Sequence, residues 1–171
     1  MSLKQKDFSN ASIHLGSAIK NIRNKKEKAR LTFILAQVYQ YDNKFTLAAE
    51  HYNKVIKLNP DYAMSFAAII SLAEMYGESE VNSGDLKKQL LKMINDEKNI
   101  DFLDQLYYAL GKIELNEKND SEAIAYFNLS AQSKFSNKSQ KVKTFGSLAG
   151  LYYSYKTYNL AEAYYDSTII S

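Results

Sequence analysis

The sequence predicts an all-α protein, a right-handed superhelix of antiparallel helical hairpins with about nine helices. The chain has 171 residues, of which 46% are hydrophobic and 24% charged, a composition typical of globular domains. One proline and six glycines leave little turn chemistry for a multi-stranded sheet. A small residue recurs every 37 or 38 residues, at Ala36, Ala73, Gly111 and Ala149. A period of this length is typical of stacked helical repeats.

Turn residues divide the chain into its predicted helices. Asp42, Asn43 and Lys44 form one predicted turn, residues 118–121 form another, and Pro60 follows the end of a helix. The predicted helices span about residues 8–23, 26–41, 45–58, 62–77, 84–96, 101–116, 120–134, 138–155 and 158–170. They amount to one leading helix and four hairpins.

The repeated positions resemble the tetratricopeptide repeat. The first copy consists of Leu35, Ala36, Tyr39, Phe45, Ala48, Tyr52 and Pro60, and the frame recurs from Tyr107 and from Phe145. The resemblance implies a single array over residues 1–171, with a half-repeat in 1–25 and repeats at 29–62, 66–99, 104–137 and 142–171. Because the chain begins within a repeat, we expect it to be a fragment of a longer protein.

Two segments depart from the repeat pattern. The second repeat has a longer loop at 78–85, and its second helix, from Leu86, lacks the small alanine. Glu114 occupies the position that Tyr39 and Tyr152 hold in other repeats. We expect the stacking to be least regular at these two places.

The first helix of each such repeat lines a concave groove, which the resemblance implies is the binding surface for a protein or peptide partner. Aromatic rings would anchor the partner and amides would orient it. The predicted groove residues are Phe33, Gln37, Tyr41, Ile70, Glu74, Tyr108, Lys112, Asn116 and Tyr153, with Gly146 and Gly150 beside them. The alternative is that some rings complete the packing between adjacent helices. The Lys and Asn clamp that grips chaperone tails in related domains has no counterpart here.

The residue types argue against an enzyme, a metal site or a cofactor. His14 and His51 occupy one repeat position, where later repeats carry Tyr126 and Tyr164, so we interpret both histidines as structural. There is no cysteine, and no phosphate-binding loop, serine elbow or paired-carboxylate motif. A net charge of +3 is too small to favour nucleic-acid binding.

A basic segment joins the first two predicted helices. It contains Lys20, Arg23, Lys25, Lys26, Lys28 and Arg30. It is either a solvated bend or a docking surface for an acidic partner or a phospholipid. No apolar run approaches the roughly 18 residues of a membrane span, so we expect no direct membrane insertion.

Three stretches resemble a more particular family. These are residues 50–62, residues 99–111, and Ala163 to Ser167, which are similar to the tetratricopeptide lipoproteins of Bacteroidetes gliding motility and type IX protein secretion. The resemblance implies a periplasmic scaffold, anchored to the membrane through a lipidated segment outside this chain. A cytoplasmic tetratricopeptide adaptor is the alternative. The sequence specifies neither the partner nor the oligomeric state.

Overall fold

The computed structural model describes residues 3–78 and 83–170, and these residues form α-helices joined by short connections. The described part of the chain contains no β-strand. The helices are α1 (Leu3–Asn21), α2 (Lys25–Tyr41), α3 (Phe45–Lys57), α4 (Tyr62–Glu74), α5 (Ser83–Ile94), α6 (Leu103–Asn116), α7 (Asp120–Gln132), α8 (Lys138–Ser154) and α9 (Tyr158–Ile170). The all-α fold of helical hairpins is confirmed, and the handedness of the superhelix stays a prediction.

Most helix ends lie within two residues of the predicted ones. There are three exceptions: two helix ends lie further from the predicted position, and one predicted α-helical start is a 3-10 helix. Helix α1 already begins at Leu3, five residues before the predicted start. Helix α4 ends at Glu74 rather than at 77, since Gly77 has a positive φ of 95°. A 3-10 helix, Glu97–Phe102, precedes α6, where we predicted α-helix from residue 101. The side chain of Asp96 accepts from the amide of Lys98 and so begins this tighter turn.

Three hairpin turns share one backbone geometry. Asn43, Lys118 and Lys156 each adopt a left-handed conformation just after the first helix of a hairpin, with φ of 56°, 65° and 59°. The next amide reaches back to the helix in each case, as from Lys44 to the Tyr39 carbonyl at 2.8 Å and from Thr157 to the Tyr152 carbonyl at 2.9 Å. This is the Schellman motif, which satisfies the last carbonyls of a helix. In each hairpin the second helix therefore begins after a connection of three residues.

The small residues of the repeat are buried between the helices. Ala36, Ala48 and Ala123 have no exposed surface, and Ala161 is 2% exposed. A Cβ atom added to Gly111 of α6 would lie 2.6 Å from two ring carbons of Phe127 on α7. Real Cβ atoms do not approach carbon so closely, so this hairpin requires glycine at that position.

The chain divides into two compact units, residues 1–81 and 82–171. The first contains α1–α4 and the second α5–α9. The division falls inside the predicted repeat 66–99, at the long loop of the degenerate repeat, of which residues 79–82 lie outside the described part. Its two helices, α4 and α5, thus belong to different units.

Each unit has its own buried core. In the first unit, Leu35, Tyr52, Val55 and Leu72 are at most 2% exposed. In the second unit, Phe127 and Leu148 lie at the centre of a cluster that joins α6, α7 and α8. Burial of apolar side chains on this scale is the main stabilising contribution to such thin two-layer folds.

Candidate protein-binding surfaces

The predicted groove residues of the first unit lie on α2 and α4, which contact each other. They are Phe33, Gln37 and Tyr41 on α2, and Ile70 and Glu74 on α4. Tyr41 is 74% exposed, and its ring stacks on Phe8 of α1 with centroids 6.4 Å apart. Gln37, Ile70 and Glu74 are half-buried. The structure thus brings these five residues onto two neighbouring helices, with Tyr41 as the exposed ring.

Phe33 contributes mainly to packing. Its ring is half-buried and meets the ring of Tyr52 edge-on, with centroids 5.4 Å apart. The Tyr52 hydroxyl donates to Gln40 Oε1 at 2.7 Å and also hydrogen-bonds Ser71 of α4. Tyr52 of α3 therefore connects α2 and α4, and burial raises the pKa of its phenol above 10.0.

In the second unit, Tyr108 is not an exposed anchor, and the prediction that it faces a partner needs correction. Its side chain is only 8% exposed and packs on Phe127 with ring centroids 5.6 Å apart. Its hydroxyl lies 3.4 Å from the Ser147 hydroxyl of α8, which donates to it. Tyr108 therefore completes the packing between α6 and α8, as the alternative interpretation expected.

The other groove positions of the second unit are more accessible. Lys112 is half-buried, Asn116 is exposed and donates to the Lys112 carbonyl at 2.9 Å, and Tyr153 of α8 is 60% exposed. The Tyr153 ring meets Tyr158 edge-on. Gly146 is half-buried and Gly150 exposed, with open space where a Cβ would lie. This unit therefore presents Tyr153 as its exposed groove ring.

The histidines occupy positions that aromatic rings fill elsewhere. The His51 ring packs on Tyr39 with centroids 5.2 Å apart, as Tyr126 packs on Tyr107 and Tyr164 on Tyr152. Its Nδ1 donates to the Leu47 carbonyl at 2.9 Å. Desolvation by burial lowers the pKa of His51 below 6.5. These contacts agree with the structural interpretation of His51.

Two findings concern other site types. Within residues 3–78 and 83–170, no three His, Asp or Glu side chains lie close enough together to hold a metal ion. Across the same residues, no helix combines the length and the apolar character required to cross a bilayer.

A cavity of about 460 Å³ lies between α1, α2 and α3, and we call it the basic pocket. The buried Leu35 and Thr32 line its base, together with the half-buried Ile19, Tyr39 and Leu58. Among the residues that the structure describes, no carboxylate lines the pocket. Its charged lining residues are four lysines, Lys20, Lys28, Lys54 and Lys57. Lys20 and Lys28 belong to the basic segment of the sequence, but the pocket itself was not predicted. Lys54 and Lys57, three residues apart on α3, were the available signal.

The rest of the basic segment extends this surface. Lys25 and Lys26 line a second cavity, of about 360 Å³, together with Asn59, Pro60 and Asp61. Leu58 lines both cavities. Arg23 and Arg30 are exposed but line neither. Six lysines from the α1–α2 bend and α3 therefore surround two adjoining cavities.

Comparison with known proteins agrees with the hairpin geometry. The family model of the tetratricopeptide repeat matches residues 29–62 and 104–137, which are the α2–α3 and α6–α7 hairpins with their following connections. Both matches have the predicted repeat boundaries. No curated protein matches the chain. The repeat is typical of non-catalytic interaction scaffolds. With its Schellman turns, its small residues at the helix contacts and these two matches, the chain contains tetratricopeptide repeats at residues 29–62 and 104–137.

Proposed function

We propose that this protein–protein interaction scaffold holds a partner polypeptide against the first helices of its hairpins, α2 with α4 in one unit and α6 with α8 in the other. The observation that carries the proposal is the exposure of one predicted groove tyrosine in each pair, 74% for Tyr41 and 60% for Tyr153. Exposed tyrosines beside polar side chains are typical anchors of protein interfaces, because the ring adds contact area and the hydroxyl stays hydrated.

Half-buried and exposed polar side chains supply the directional contacts of the proposed surface. Gln37 lies on α2 and Glu74 on α4 in the first unit, and Lys112 and Asn116 lie on α6 of the second. These groups can accept from or donate to the backbone of an extended or helical partner segment. We therefore propose a polypeptide ligand rather than a small molecule.

The test compares Tyr41→Ala/Tyr153→Ala with Tyr165→Ala, a control on α9 outside the predicted groove whose ring is 46% exposed. Partners captured from source-cell extract are identified with the unaltered chain, and the affinity of the purified partner is then measured for each variant. We expect the double variant to lose roughly 2 kcal/mol or more of binding free energy. Equal affinities for the double variant and the control, at unchanged helix content, would rule out this surface.

A more specific proposal concerns the cellular role. The similarity of residues 50–62, 99–111 and 163–167 to gliding and type IX secretion lipoproteins supports an envelope scaffold on the periplasmic side, anchored through a lipidated segment outside these residues. The alternative is a cytoplasmic adaptor. Fractionation of source cells, with protease added to intact and to permeabilised spheroplasts, separates the two. Protection from protease in intact spheroplasts would support the cytoplasmic adaptor.

A further inference from the structure

We propose that the basic pocket is a second binding site, for an acidic segment of a partner protein that inserts one bulky apolar side chain. The inference rests on the proposed function as a protein scaffold but concerns a different surface. Thr32, Leu35 and Tyr39 of α2 line the pocket, whereas the predicted groove residues of that helix are Phe33, Gln37 and Tyr41. The two sets lie on different faces of α2 because they differ in helical phase.

The base of the pocket is suited to an apolar side chain. Leu35 is 2% exposed, and Ile19 and Leu58 close the sides. Thr32 adds little polarity, because its hydroxyl already donates to the Lys28 carbonyl at 2.7 Å. A volume of about 460 Å³ exceeds that of a single aromatic side chain, so the pocket admits a ring together with part of its backbone.

A glycine is among the residues that line the pocket. Gly16 lies within α1, and a Cβ atom built on it would meet nothing within 4 Å. Glycine inside a helix is less favourable than alanine. Because Gly16 lines the pocket and its Cβ position is open, a side chain can be added here without a clash at Cβ. Gly16 therefore offers a way to fill the pocket while favouring the helix.

Charge identifies the ligand as acidic. Among the described residues, Lys20, Lys28 and Lys57 form no ion pair, and Lys54 has only a long contact of 3.9 Å to Glu50, with both side chains more than half exposed. Four like charges around one cavity repel each other, and a ligand with carboxylates would relieve that repulsion.

The extent of the basic surface favours a peptide over a fatty acid. Lys25 and Lys26 line the adjoining cavity together with Asp61, so the two cavities that share Leu58 carry six lysines and one carboxylate. A fatty acid carries a single charge and would neutralise one of them. An acidic peptide segment presents several carboxylates along its length and can reach both cavities.

The probe is a fluorescent peptide of alternating Glu and Asp with one central Phe, and its binding to the full chain is followed by anisotropy. Two comparison peptides replace the acids by Gln and Asn, or the Phe by Gly. We expect the probe to bind with an affinity that falls as salt is added, and both comparison peptides to bind roughly tenfold more weakly or worse.

Two matched pairs of variants locate the site. Lys54→Gln/Lys57→Gln should weaken the probe roughly tenfold, whereas Lys138→Gln/Lys141→Gln, which removes two charges at the same spacing from α8, should not. Gly16→Leu should abolish binding by filling the pocket, whereas Gly16→Ala should bind almost as the parent does. Circular dichroism and the melting temperature show that every variant folds.

Three results would overturn the inference. The first is equal binding of the probe by Gly16→Leu and Gly16→Ala. The second is equal loss of affinity from the α3 and α8 lysine pairs. The third is stoichiometric binding of dodecanoate that Gly16→Leu blocks, in the absence of probe binding, since the site would then serve an anionic amphiphile. Each leaves the groove proposal standing, because that proposal is tested with the Tyr41 and Tyr153 variants and the captured partner.

Discussion

Lys87 Nζ lies 2.7 Å from Glu114 Oε1, and this ion pair joins the two places where the sequence departs from the repeat pattern. Glu114 is buried in a position where other repeats carry tyrosine, and Lys87 belongs to α5, the helix without the small alanine. Lys87 also contacts Glu117 at 2.9 Å, and Asn119 donates to the second Glu114 oxygen at 2.9 Å. The two departures thus compensate each other within the second unit.

Replacing Lys87 by Met should destabilise the second unit by roughly 1–3 kcal/mol, because the buried Glu114 carboxylate loses its cation. Lys88→Met is the control, since Lys88 is exposed and forms no ion pair among the described residues. Chemical denaturation measures both, and equal midpoints would contradict the prediction. A second replacement, Glu114→Leu, should recover part of the loss.

The pH dependence of the same pair is set by Lys87. Its hydrogen bond to Glu114 raises the pKa of Lys87 above 10.5. The unfolded chain therefore releases this proton at a lower pH than the folded chain does. The contribution of the ion pair to the stability of the folded state is thus present below pH 10.5, and it is lost as the pH rises through the higher pKa of the folded state. Between pH 7 and 9 the stability difference between the parent and Lys87→Met should stay constant. A difference that shrinks within that interval would contradict this assignment.

Gly111→Ala should cost roughly 1–3 kcal/mol, since its methyl group would overlap the Phe127 ring at 2.6 Å. Gly150→Ala makes the same chemical change on α8, where a Cβ meets nothing within 4 Å. That control should gain roughly 0.5–1 kcal/mol from helix propensity. Thermal unfolding of the two variants should therefore shift in opposite directions, and parallel shifts would argue against a close α6–α7 contact at Gly111.

Acid should destabilise the first unit through His51. Burial lowers the pKa of His51 below 6.5, so below pH 6.5 the unfolded chain binds a proton that the folded unit resists, and stability falls. Between pH 7 and 5.5 the melting temperature of His51→Gln should fall less than that of the parent. His14→Gln is the control because it removes the exposed histidine of α1 that occupies the same repeat position. Identical slopes for all three proteins would refute the role of His51.

Tyr52→Phe should destabilise the first unit by about 1 kcal/mol, because the phenol joins α3 to Gln40 and Ser71 on two other helices. Tyr126→Phe is the matched control, since the Tyr126 hydroxyl makes no hydrogen bond among the described residues. Urea unfolding of both variants gives the comparison. A loss of equal size in the control would assign the effect to the ring rather than to the hydroxyl.

The sequence by itself determined the helices and the hairpins. The turns after Tyr41 and Asn116 are local features, since helix and turn preferences depend on residues within a few positions of each other. The recurrence of Ala36, Gly111 and Ala149 is visible in the sequence as a repeat period. The predicted repeats 29–62 and 104–137, which the family model matches, came from the resemblance to the tetratricopeptide pattern.

Only the tertiary structure decided which helix faces are covered. Tyr108 and Tyr153 were predicted for one surface, yet Tyr108 is buried between α6 and α8 while Tyr153 is exposed. Helical periodicity assigns a residue to a face, but the packing of neighbouring helices decides whether that face meets solvent. The basic pocket also depends on tertiary packing. Lys20 and Lys54 are far apart in the sequence, and they line one cavity only because α1 and α3 pack on α2.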